Sequence, residues 1–128
     1  RPIGVIEHPF NLVQLAASSG ATFVARWTAV QARRAAKSIE RGIQRKGFSF
    51  IEIIGACPTA YGRMNRLGDG LEMHKHLLEV AEIKNGLPPH EAVIDYDGKI
   101  ICGEFVDIEK PEYTDVLRQA HEKFKGGK

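Results

Sequence analysis

The stretch "FSFIEIIGACPTAYGRMN", Phe48 to Asn65, carries Cys57 just beyond a hydrophobic run, with Pro58 and Thr59 behind it and Arg63 six residues further on. A cysteine thiolate can attack an electrophile, exchange with a second thiol or ligate a metal. The C-x5-R spacing suits phosphate-ester chemistry. That reaction needs a low-pKa thiolate in a loop whose backbone N–H groups converge on the phosphate while the arginine grips two of its oxygens. Pro58 removes one such donor at the first loop position. Thiol exchange calls for a nearby partner, and the only other cysteine, Cys102, belongs to a different element. Metal ligation needs more ligands than one cysteine supplies, since a [4Fe-4S] cluster takes four thiolates. The plain alternative is a small buried residue, because cysteine is among the most buried residue types.

Other groups with chemical potential read more simply. His74 and His76 in "EMHKH" are two residues apart, so they cannot share a helix face and read as ordinary surface or half-buried side chains. "LGDG", Leu67 to Gly70, follows no strand and reads as a turn before a helix rather than a phosphate loop. Arg34, Lys37, Arg41 and Arg45 form a basic stripe, read as a solvated helix face with docking of an acidic partner as the functional alternative. Cys102 alternates with apolar neighbours and reads as a small buried thiol.

The elements that must position Cys57 follow from periodicity and punctuation. Asn11 with Gln14 forms a capping-box pattern ahead of Leu12, Leu15, Ala16 and Ser19, a short helix ending at Gly20. "ATFVARW", Ala21 to Trp27, reads as a buried strand. Thr28 with Gln31 opens a helix whose apolar stripe is Ala32, Ala35, Ala36, Ile39 and Ile43, stopped by Gly47. "FSFIEIIG" then reads as a strand buried on both faces of a parallel sheet, so strand, helix and strand make a βαβ crossover. Leu71, His74, Leu78 and Ala81 predict a helix closing at Asn85-Gly86. "EAVIDYDGKIICGEFV" places two β-prone runs around Asp97-Gly98, a hairpin signal. Tyr113, Val116, Leu117, Ala120 and Phe124 trace a last amphipathic helix behind Pro111. Cys57 thus lies at the carboxyl end of a strand, where open α/β sheets gather functional loops.

The chain has 128 residues, 43% hydrophobic and 27% charged, with a net charge of +2. Such a chain is long enough for one core and is typical of ordinary globular proteins rather than disordered or nucleic-acid-coating segments. Two cysteines make no disulfide framework, and no signal peptide or long apolar run is present, which reads as a cytoplasmic protein without nucleic-acid or membrane partners. Because the chain starts at Arg1-Pro2, it reads as a processed product or a piece of something longer.

"EHPFNLVQLAASSGATFVARWT", "SIERGIQRKGFSFIEIIGACPTAYGRMNRLGDGLEM" and "GEFVDIEKPEYTD" together resemble, in order, the C-terminal part of the β subunit of 2-oxoacid:ferredoxin oxidoreductases, with the 2-oxoglutarate enzymes most similar. The resemblance covers nearly the whole chain. It is therefore more specific than the C-x5-R pattern of cysteine phosphatases, from which Ala56 and Met64 also depart. It implies an α/β fold: part of a thiamine diphosphate-binding fold, with parallel strands, flanking helices, and a C-terminal hairpin and helix. Residues 1–86 would be the C-terminal half of the diphosphate-binding domain and 87–128 the extension.

It also implies that the complete enzyme uses thiamine diphosphate with magnesium to decarboxylate a 2-oxoacid oxidatively. Electrons would pass through a [4Fe-4S] cluster to ferredoxin, leaving an acyl-CoA made from coenzyme A. Cys57 matches the fourth cluster cysteine, in the Cys-Pro loop after a late strand. The family's other three cysteines, near its N terminus, and its Gly-Asp-Gly diphosphate motif are not in this sequence. The chain is thus expected to be a fragment, inactive and free of bound cofactor by itself, that works with other oxidoreductase subunits. An α/β interaction domain without chemistry is the competing class.

Overall fold

The computed structural model describes residues 8–95 and 98–126. Its axis is β1, Phe23–Thr28, buried along its whole length, in which Phe23, Val24, Trp27 and Thr28 are the β-branched and aromatic residues that strands favour. The sheet order is β2-β1-β4-β3. β2, Ser49–Ile54, runs parallel to β1 in a register from Phe23 opposite Ser49 to Thr28 opposite Ile54. The helix α2, Ala32–Gln44, makes the connection that a parallel pair requires. β4, Ile100–Asp107, is antiparallel to β1 with an irregularity at Val24 and Ala25, and parallel to β3, Ala81–Ile83. The result is a mixed α/β sheet with flanking helices. β4 comes from beyond residue 87 and lies inside the sheet.

Alternation along β1 divides the core between the two faces of the sheet. Val24 packs with Val13 and Ala16 of α1 (Leu12–Ser18) and with Ala92, Ile101 and Phe105. Phe23, Ala25 and Trp27 pack with Ala35 and Cys102. Asn11 caps α1 as its sequence predicts, its side-chain oxygen accepting the Gln14 backbone N–H at 3.1 Å. Gln31 accepts the Thr28 N–H at 3.0 Å, closing the expected box ahead of α2.

The helices stand where periodicity places them but are turned about their axes. α1 buries Val13 and Ala16, while Leu15 is exposed. α2 buries Ala35, Ser38 and Gly42, and Ile43 is 80% exposed. α4, Gly70–Val80, buries Met73 and Leu77 and turns Leu71 and Leu78 outward. α5, Tyr113–Gly126, buries nothing, and Phe124 is 88% exposed. Small residues face the sheet because a helix of Ala, Ser and Gly can lie close over it. At Gly42, a Cβ would already stand 2.9 Å from Ile51 Cδ1.

Three sequence expectations are corrected. β2 is an edge strand rather than one buried on both faces, and its residues are half-buried, with Ile53 exposed. The helix expected to run to Asn85-Gly86 stops at Val80, because Ala81 turns extended and residues 81–83 join β4. Lys84 N–H to Cys102 O at 2.8 Å and Gly86 N–H to Glu104 O at 2.8 Å extend that pairing. Gly103 makes room for it. Its φ is +147°, and a Cβ there would stand 2.7 Å from Lys84 O. The hairpin, whose turn residue Asp97 lies outside the described residues, is short: it is held by an Ile94–Ile100 bridge and by Asp95 N–H to Lys99 O at 3.2 Å. Its second arm leaves to pair with β1 as β4.

At the centre of the sheet the Arg26 side chain is completely buried. Its Nε donates to Glu52 Oε2 on β2 at 2.7 Å, and Nη1 donates to Ala92 O at 2.8 Å and Ile101 O at 3.4 Å. Removing one partner of a buried ion pair strands the other charge, whereas replacing both with apolar residues relieves the desolvation of both. Glu52→Ala is therefore expected to cost about 3–5 kcal/mol. The double variant Arg26→Met with Glu52→Leu should recover most of that loss. Urea unfolding of the two single variants and the double variant measures the coupling, and additive losses would contradict it.

Candidate functional site

β2 ends at Ile54, and three residues later Cys57 opens a single π-helical turn, Pro58–Gly62, that runs on into the short helix α3, Arg63–Asn65. Pro58 is at the first helical position, where the absent N–H would have had no intrahelical partner. The turn closes through Gly62 N–H to Cys57 O at 2.9 Å and is braced by Asn65 Nδ2 to Tyr61 O at 2.8 Å. It is seated against α4 at Gly62, where a Cβ would stand 2.7 Å from Met73 Sδ. Asp69, the acid of "LGDG", caps α4, its Oδ1 accepting from Leu71 and Glu72 N–H at 2.8 and 2.9 Å. That stretch is a turn before a helix, as its sequence reads.

The sulfur of Cys57 is exposed at the start of this turn. Backbone N–H groups of Tyr61, then of Ala60 and Thr59, stabilise its anion and hold its pKa below the ordinary thiol value. Cys102 is the reverse case. It is buried within β4, and desolvation pushes its thiol up to about 11. Of the two thiols, Cys57 is the one whose surroundings favour the anion.

Among the described residues no three His, Cys, Asp or Glu side chains converge in a way that could hold a metal ion. His74 and His76 are both exposed, and His74 Nδ1 lies 2.6 Å from Gly70 O on its own helix. Arg63 stands in α3 on the same loop as Cys57. No helix among the described residues is long and apolar enough to cross a membrane.

The basic stripe is solvated in part only: Arg34 and Lys37 are exposed, whereas Arg41 and Arg45 are engaged. Arg41 pairs with Glu104 and Asp107, and Arg45 with Asp107 and Glu109. The Arg41 guanidinium also lies 5.3 Å from the centre of the Phe23 ring. Because α2 packs through Ala35, Ser38 and Gly42, its arginines flank the contact and meet the acids of β4. Ser38 completes the seam, accepting from Trp27 Nε1 at 2.8 Å and donating to Glu104 Oε1 at 2.9 Å. These acids are far away in sequence, so helix periodicity gave no sign of them.

Known proteins share both this fold and this sequence. A solved structure, the 2-oxoglutarate:ferredoxin oxidoreductase from Magnetococcus marinus with 2-oxoglutarate, coenzyme A and succinyl-CoA bound, matches with a TM-score of 0.71 at 21% identity. The match covers 97% of this chain and 42% of that one. The fold is therefore one found within 2-oxoacid:ferredoxin oxidoreductases.

Sequence similarity is closer. The 2-oxoglutarate synthase subunit KorB of Methanocaldococcus jannaschii is 43% identical over 124 residues, 97% of this chain and 46% of the relative. KorB of Methanothermobacter marburgensis is 41% identical over 118 residues, 89% of this chain and 40% of the relative. No family model matches. The chain is a homologue of the KorB-type subunits of these oxidoreductases and spans about half the length of the curated relatives it matches.

The contrast between the two thiols can be measured by iodoacetamide alkylation of the folded chain as a function of pH. Cys57 is expected to react with a midpoint below that of an ordinary thiol, and Cys102 to stay protected until the protein unfolds. Equal rates at the two cysteines, read by peptide mass, would refute the assignment.

Proposed function

We propose that this chain forms part of the β subunit of a 2-oxoacid:ferredoxin oxidoreductase, with 2-oxoglutarate as substrate, and that Cys57 is one thiolate ligand of its [4Fe-4S] cluster. The observation that carries this reading is the 43% identity to a KorB subunit across 97% of the chain. The state of Cys57 supports it. Iron–sulfur clusters are held by thiolates, and this one is exposed, favoured as the anion, and fixed at the end of a strand.

The described residues fit one ligand and not four, so the remaining cysteines are assigned to the part of the subunit outside the matched span. The same holds for the thiamine diphosphate and magnesium that such enzymes use, for which no convergent acidic group is present among the described residues. When bound, those groups supply the decarboxylation and the electron relay, producing an acyl-CoA from coenzyme A with ferredoxin as acceptor. The residues of this chain hold the sulfur. β2 is fixed to β1 by their ladder and by the Arg26–Glu52 pair, and the turn after Cys57 is fixed by Gly62, Asn65 and Met73.

Phosphate-ester hydrolysis through Cys57 and Arg63 is disfavoured on local grounds. Pro58 offers no N–H, and the Gly62 N–H is committed to Cys57 O rather than open to an oxyanion. A purely structural α/β role gives no reason for an exposed cysteine with a stabilised anion.

The test is Cys57→Ser in the enzyme assembled from this chain, the rest of the subunit that its relatives carry, and the companion subunits, reconstituted anaerobically. Loss of cluster iron and sulfide, together with loss of 2-oxoglutarate-dependent ferredoxin reduction, is expected. Unchanged cluster content would sink the ligand assignment.

A further inference from the structure

β2 ends the sheet on one side, yet it carries none of the devices that usually guard such an edge. Edge strands are blunted by shortness, bulges, prolines or free charges, because their unpaired N–H and C=O groups otherwise recruit another strand. β2 has six residues, pairs with β1 without a register break and contains no proline. Its one charged residue, Glu52, is turned in to Arg26 at 2.7 Å. The opposite edge is protected. β3 has three residues, and Glu82 within it pairs with Lys84 just beyond it at 3.1 Å.

The faces of β2 are also built for an interior position. Phe50 packs toward Val13 and Ala16 of α1, and Ile51 packs on the other face with Phe23 and with Ala35 of α2. Helices over both faces are the setting in which strands take parallel neighbours. By alternation Ile53 lies on the α2 face, and it is 49% exposed. α2 extends this apolar surface. Its Arg41 and Arg45 flank the sheet contact on the β4 side. Helical rotation therefore puts Ile39 and Ile43, both exposed, on the other flank, over the open edge of β2. Leu78 and Phe124 are exposed as well, but they stand on helices whose backbone bonds are made within the helix.

We propose that the open edge of β2 and the Ile39–Ile43 flank of α2 receive a parallel strand with apolar side chains, supplied by the part of the subunit that the KorB relatives carry outside the matched span. The relatives have the length to supply it, since this chain corresponds to 46% and 40% of two of them. In strand addition the backbone ladder provides attachment and alternate side chains provide the choice of partner. Here the choice is made by Ile39, Ile43 and Ile53. A parallel strand in this place ends beside the Cys57 turn, at the carboxyl edge where open α/β sheets gather functional loops. This assignment rests on the reading of the chain as part of a larger subunit, and it holds whether or not Cys57 ligates a cluster.

The experiment co-expresses the whole 128-residue chain, tagged, with the remaining portion of the Methanocaldococcus jannaschii KorB subunit as a separate polypeptide. Recovered complex is quantified after tag purification, and amide exchange is read by mass spectrometry on the complex and on the chain alone. Exchange within residues 49–54 should slow by about tenfold or more in the complex, and that within residues 81–83 should not change. In Ile43→Glu with Ile53→Lys, recovered complex should fall by about tenfold or more, because two charges would have to be buried. The urea midpoint of the chain alone should stay as it is, since both side chains are exposed there. Ile83→Lys on the other edge should leave recovery unchanged.

A complex that forms with undiminished recovery in the Ile43→Glu, Ile53→Lys variant, or without added protection at residues 49–54, overturns the edge assignment and leaves the subunit reading standing. No complex with the wild-type chain removes both. A wild-type chain that instead dimerises, with the double variant monomeric, gives the edge to a second copy and likewise overturns the proposal. The exchange comparison needs no variant, so it decides the matter even where a substitution disturbs folding.

Discussion

A buried arginine in the middle strand sets the terms for the rest of the sheet. Arg26 has no exposed surface, and its guanidinium is shared among three separate parts of the chain: Glu52 of β2, Ala92 O ahead of the hairpin, and Ile101 O of β4. One terminal nitrogen, Nη2, has no hydrogen-bond partner among the described residues. A charge in such a place is costly to desolvate, and it is tolerable only while its partners stay in register. A one-residue slip of β2 would move Glu52 to the opposite face and strand the guanidinium. The pairing of Arg26 with Glu52 therefore specifies the register more than it adds stability, and the strand whose register it fixes is the one that leads to Cys57.

Much of this architecture was legible in the sequence, for reasons that particular residues make plain. Caps are local, so Asn11 with Gln14 and Thr28 with Gln31 gave correct helix starts. The crossover from β1 through α2 to β2 follows from element order alone. Helix rotation was not legible, because on α2 small residues beside the apolar stripe can pack instead of it. On α2 the stripe of Ala32, Ala35, Ala36, Ile39 and Ile43 looked like the core, yet of these only Ala35 is buried, and Ser38 and Gly42 pack on the sheet beside it. Side-chain size decided the matter: the sheet takes the face that lets the helix approach. Bulky residues such as Ile43, Leu78 and Phe124 are left facing outward, uncovered by any described residue.

The same rotation explains why only half of the basic stripe, Arg34 and Lys37, is the solvated face expected. Seen as a helical wheel, Arg34, Lys37, Arg41 and Arg45 lie opposite the bulky stripe and look solvated. Once the small face is on the sheet, Arg41 and Arg45 come beside β4, whose Glu104, Asp107 and following Glu109 are more than sixty residues away in the chain. Non-local charge pairing leaves no periodic trace. Neither does β3, since Ala81 continues the helical apolar pattern of α4 while its backbone turns to join β4.

At the candidate site the sequence located the sulfur, while the structure supplied its electrostatics. Cys57 and Cys102 are the same side chain at opposite extremes, and neither difference is a matter of neighbouring charge in the first place. Backbone amides dominate at Cys57 and desolvation dominates at Cys102. A backbone N–H keeps its direction whatever side chains surround it, so a thiolate stabilised by amides is less sensitive to ionic strength than one stabilised by a surface lysine. For the cluster ligand that we propose Cys57 to be, which would have to stay deprotonated and fixed, that is the more dependable arrangement. It also gives Pro58 a role. At the head of the turn its missing N–H costs nothing, its fixed φ starts the helical path, and the amides of Thr59, Ala60 and Tyr61 come to the sulfur. The proline that spoils a phosphate cradle is thus compatible with a well-formed thiolate turn.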